Sequence, residues 1–102
     1  MDDSREELQS LLESILGSRN VYYQSPENIK MNYPAIRYKR KKPDSRFANN
    51  SIYFKKQCYE IIVIDREPDN EVIEKISSLP YCSVDQNYIS DNLHHDVFTI
   101  YY

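Results

Sequence analysis

Residues 51–66 constrain this chain most, because their second half, Tyr59 to Ile64, is an almost unbroken run of apolar and β-branched side chains. Such a run is too short for a buried helix and suits a strand that is covered on both faces, entering from a wetter edge at Ser51. The run breaks at Asp65-Arg66-Glu67-Pro68-Asp69, where proline and a cluster of acids stop extended backbone and prepare a helix. A strand-to-helix unit is expected here, with the rest of the chain packed around it.

A chain of 102 residues supports one domain with one core. It has 10 Tyr, 3 Phe and no Trp. Tyrosine buries its ring while keeping its hydroxyl hydrated, so thin sheets and broad contact surfaces are within reach, although ordinary strand positions account for most of them.

The first element is expected as a helix over residues 4–16. Ser4 and Glu7 have capping-box spacing, and Leu8, Leu11, Leu12, Ile15 and Leu16 form one apolar stripe. Gly17, the only glycine, stands where a left-handed cap ends the helix. Residues 20–24 then read as a short strand, closed by a turn at Ser25-Pro26-Glu27-Asn28. A second strand over 34–40 follows, placed near an edge by Pro34 and Pro43, with Ile36 and Tyr38 on one face. Residues 41–50 lack apolar periodicity and read as a long basic connection between hairpin strands.

After the central strand, Asp69 or Asn70 caps a helix reaching about Leu79, with Val72, Ile73, Ile76 and Leu79 inward and an ion pair between Glu71 and Lys75 outward. Residues 81–84 and 97–102 read as strands separated by a connection over 85–96, with some extended backbone around Tyr88 and Ile89. The fold class is α+β: a single domain in the order α-β-β-β-α-β-β, an antiparallel sheet with both helices on one face.

Charge is segregated. Residues 37–56 hold eight basic side chains against Asp44 alone, a balance of +7, while the remainder holds five basic and fifteen acidic side chains, a balance of −10. Such a molecule can attract copies of itself head to tail, or an acidic partner. The basic residues, interleaved with Tyr38 and Phe47, could also track phosphates, but the acidic whole, with a pI near 5.3, favours protein contact over nucleic acid.

Candidate chemistry is sparse. His94-His95-Asp96 has metal and proton chemistry in its residue types, but adjacent histidines entering a strand point to opposite sides. The acidic stretch 65–71 lacks the glycine and spacing of a calcium loop. A single glycine, already spent on a helix end, leaves none for a phosphate loop. Cys58 and Cys82 are expected as reduced thiols, since the start of the chain is acidic and carries no secretory pattern. No stretch is long and apolar enough for a membrane span. The expectation is a protein without catalytic, metal or cofactor residues.

Ile62-Val63-Ile64-Asp65-Arg66-Glu67-Pro68-Asp69, Leu79-Pro80-Tyr81-Cys82-Ser83 and Ser90-Asp91-Asn92-Leu93-His94-His95-Asp96-Val97-Phe98 resemble the small tail-terminator, or tail-completion, proteins of long-tailed bacteriophages. Leu12-Glu13-Ser14-Ile15-Leu16-Gly17-Ser18-Arg19-Asn20-Val21-Tyr22 and Tyr33-Pro34-Ala35-Ile36 fit the same family, so the resemblance covers most of the chain. It implies a structural subunit of the virion, assembled in the host cytoplasm, that forms a ring, with six-fold symmetry to match the tube, on the head-proximal end of the tail. Its partners would be its own copies, the tail tube protein and a head-completion or neck protein. Lys39, Arg40, Lys41, Lys42 and Arg46 are assigned to the subunit or tube interface, with Lys55 and Lys56 at its rim. Reversing Lys41 and Lys42 to glutamate is expected to abolish assembly and spare the fold. The alternatives are a connector-side neck protein and a small nucleic-acid-binding protein using the same basic segment.

Overall fold

The computed structural model describes residues 4–26, 30–42 and 56–102. Its elements run α1 (Ser4–Leu16), β1 (Val21–Tyr23), β2 (Ala35–Arg40), β3 (Cys58–Asp65), α2 (Glu71–Ser77), β4 (Cys82–Ser90) and β5 (Leu93–Tyr101). The strands form one sheet in the order β1-β2-β3-β5-β4, so β3 lies at its middle, as its apolar run requires. Residues 51–55, the wetter half of the expected strand, lie outside the described residues, and ladder pairing starts at Cys58.

Leu8 and Leu12 of α1 and Val72 and Ile76 of α2 pack with Ile36, Tyr38, Tyr59, Ile61, Val63, Phe98 and Ile100 in one core. Both helices therefore cover the same face of the sheet. Alternation along β3 turns Cys58, Glu60, Ile62 and Ile64 to the other face, on which no helix lies among the described residues.

The α1 stripe ends at Gly17, whose φ of +80° is the left-handed geometry of a cap, with its amide donating to the carbonyl of Glu13 at 2.8 Å. Ser4 is the first described residue of α1, and its hydroxyl lies 3.3 Å from that of Tyr59, which ties the helix to the sheet. A second anchor is polar: Tyr38 donates to the side-chain oxygen of Gln9, and the Gln9 amide donates to the carbonyl of Val21 at 3.2 Å. Burial of the Tyr38 ring raises the pKa of its hydroxyl, which keeps that donor protonated.

Asn70 caps α2, accepting from the Val72 amide at 2.8 Å, and is held by Asp65, which accepts from its side chain at 2.6 Å. Glu71 and Lys75 pair at 3.7 Å. The helix stops at Ser77, two residues short of the expected end: the Leu79 amide turns to the carbonyl of Ile76 at 3.0 Å, a tighter turn than the α-helix, and Pro80 follows with no amide to donate.

Two sequence expectations change. β1 pairs with β2 in parallel, Val21 opposite Ile36, so the sheet is mixed where an antiparallel one was expected, and β2 is the second strand, near the edge that β1 forms. The expected connection over 85–96 is instead the body of a long hairpin: β4 and β5 pair from Cys82 opposite Ile100 to Ser90 opposite Leu93. Only Asp91 and Asn92 turn, with φ of 54° and 63°, the two-residue geometry that asparagine and aspartate tolerate best after glycine. The pairing shifts between Val84 and Gln86, leaving Asp85 as a bulge residue.

Candidate functional site

β2 and β3 run antiparallel, Arg40 opposite Tyr59, so the basic residues at the end of β2 gather at the same end of the sheet as the start of β3. Of the assigned interface residues, Lys39, Arg40, Lys41, Lys42 and Lys56 are described there; Arg46 and Lys55, with the rest of the expected basic connection from 43 to 50, lie outside the described residues.

These side chains are not equivalent. Lys42 is exposed, as is Arg40. Lys39 reaches Glu60 on the neighbouring strand at 3.5 Å. Lys56 lies over the ring of Tyr81, 5.0 Å from its centroid. Lys41 crosses the helix-free face: its ammonium donates to the Thr99 hydroxyl at 2.8 Å and stands 3.6 Å from Asp85, and Thr99 donates in turn to Asp85. The bulge at Asp85 makes this triad possible by turning its carboxylate over Thr99. Lys41 thus belongs to the fold, and a glutamate there would face Asp85. The expectation that its reversal spares the fold gives way to Lys42 as the cleaner probe.

Beside this basic end, Leu11, Leu79, Pro80, Tyr81 and Tyr102 border an apolar hollow of about 310 Å³. On the helix-free face, a second open cleft of about 180 Å³ lies between Arg37 and Lys39 of β2 and Tyr88 of β4, over Glu60 and Ile62. Arg37 donates to the Ser25 carbonyl at 3.0 Å, which fixes its guanidinium at the rim. The Tyr88 ring stacks on His95, its partner across the hairpin, at 4.6 Å and 9°. That aromatic pair had no signature in sequence, since it depends on the hairpin register.

His94 and His95 point to opposite faces, His94 beside Ile89 and His95 beside Tyr88. Among the described residues, no group of three His, Cys, Asp or Glu side chains is arranged to hold a metal ion. Burial pushes the Asp96 carboxyl upward, opposed in part by His94 and His95. Both cysteines are free; burial raises the Cys82 thiol to about 11 and lifts Cys58 as well. Neither is tuned toward a thiolate nucleophile. No helix among the described residues is long and apolar enough to cross a membrane.

Set against protein-family models, curated proteins and solved structures, the chain matches none.

Proposed function

We propose that this protein is a structural subunit of a phage tail, a tail terminator that assembles into a ring on the head-proximal end of the tube, stops its growth and presents a surface to the neck. The reading rests on the resemblance of residues 62–69, 79–83 and 90–98 to that family. One observation supports a contact role above others: Arg40, Lys42 and Lys56 stand at one end of the sheet, Lys56 lining an apolar hollow, and among the described residues no group of His, Cys, Asp or Glu side chains is arranged to hold a metal ion. Charge with adjacent apolar surface suits recognition of a protein.

The deciding experiment mixes the pure protein with tail tubes lacking their terminator. Capture in a fixed ratio at one tube end, with loss of capture on Lys42→Glu, is the expected result. A protein that ignores tubes and binds the capsid connector would be a neck protein instead. Binding to DNA that weakens steeply with salt would assign the basic end to nucleic acid.

A further inference from the structure

We infer that the helix-free face of the sheet is the seat for the acidic outer face of α1 from a second copy of the chain, so that subunits pack head to tail. This rests on the assembly reading above and gives it a specific contact.

The open part of the sheet face is the cleft, since Cys58, Ile64, Val97 and Thr99 beside it are buried. Ile62 is half-buried at the floor of the cleft, Tyr88 is 42% exposed at one wall, and Arg37 and Lys39 form the other. The described charged side chains of the whole face are Arg37, Lys39 and Lys41 against Glu60 and Asp85, a balance of +1. The outer face of α1 has the opposite sign. Glu6 and Glu7 are exposed, and the last turn of α1 has no basic residue. Arg5, its guanidinium 4.7 Å from the centroid of the Tyr23 ring, offsets one of them, and with Glu13 the helix holds one basic and three acidic side chains, a balance of −2. The helix is long enough to lie across the strands, and its outward positions are otherwise small and polar, Ser10 and Ser14.

Opposite faces of one two-layer domain thus carry complementary charge. A contact between them is heterologous: each copy keeps one unused face, so association continues until a ring closes or a filament grows. Pairing of two sheet faces would instead set Arg37 and Lys39 against their own copies, a like-charge arrangement.

Sedimentation of the full chain at low and high salt tests this. The wild type should associate with concentration, more strongly at low salt. Glu6→Lys combined with Glu7→Lys should remove the helix half, and Tyr88→Glu or Lys39→Ala the sheet half, each lowering the association constant by about tenfold or more, equivalent to about 1.4 kcal/mol. Wild-type circular dichroism and melting would show that each variant folds. A mixture of a helix-half and a sheet-half variant should form a one-to-one dimer that grows no further, because one intact half survives on each. A wild type that stays monomeric at about 1 mM, well above ordinary weak contacts, overturns the inference. So does a helix-half variant that associates like the wild type, or a sheet face that binds single-stranded oligonucleotide in place of a second copy. Tail tubes separate this contact from the terminator reading. Tubes that capture Tyr88→Glu in the wild-type ratio would remove the contact and keep the terminator; association as inferred, with tubes ignored, would do the reverse.

Discussion

Lys41, at the end of β2, donates a 2.8 Å hydrogen bond to the Thr99 hydroxyl on β5, two strands away, across the backbone of β3. Thr99 is 8% exposed, the one polar residue among the buried side chains described, and it passes its own proton donor to Asp85. Thr99→Val preserves shape while removing the bridge, so Lys41 and Asp85 lose their common partner. A loss of about 1 to 2 kcal/mol in stability is expected, measured by denaturant unfolding. Lys41 and Asp85 are both partly hydrated, which keeps the figure at that modest size.

Two helix ends should respond by different routes. Gly17→Ala meets no atom within 4 Å of the added carbon, so its cost is conformational, about 1 to 2 kcal/mol for a side chain held at positive φ. Asn70→Ala removes the cap of α2 and the partner of Asp65 together, and should cost about 1 to 2 kcal/mol. Because α2 has 7 residues and little helicity of its own, Asn70→Ala should also loosen amide-exchange protection throughout that helix, whereas Gly17→Ala should leave α1 protected except at its last turn.

Asp96 sets a pH dependence. Desolvation raises its carboxyl above the ordinary 3.8, with His94 and His95 opposing the shift. A carboxyl raised in the folded chain favours folding while protonated, and that contribution is lost as pH rises from 3.8 through the folded value. Asp96→Asn should therefore melt higher than the wild type at pH 7, and the difference should shrink below pH 3.8, where both side chains are neutral. Thermal melts across that range, showing no narrowing, would remove burial of Asp96 as the cause.

The thiols should be slow to react. Cys82, raised to about 11, and Cys58, also raised, are overwhelmingly protonated at pH 8, so an aromatic disulfide reagent should label neither quickly in the folded chain. Labelling should accelerate through the denaturant transition. Fast labelling of Cys82 under native conditions would mean that the strand carrying it opens locally.

The sequence by itself determined the local elements. The leucine stripe and Gly17 bounded α1 at Ser4–Leu16, the apolar run put β3 at the sheet's centre, and Asn70 with the Glu71 and Lys75 pair marked α2, because each signal is confined to neighbours along one helix or strand. Tertiary structure decided what depends on distant partners. β4 was legible only at its start, since burial patterning marks a strand only where one face is covered, and Ser83 to Ser90 are exposed along its whole run. The Asp91-Asn92 turn was the signal available there, and its strength depends on both residues adopting positive φ. Parallel pairing of β1 with β2 likewise left no local trace. The same reason governs the candidate surface: sequence assembled the basic residues by number, but pairing across β2, β3, β5 and β4 separated Lys41, bound into the sheet by Thr99 and Asp85, from Lys42, left exposed beside it.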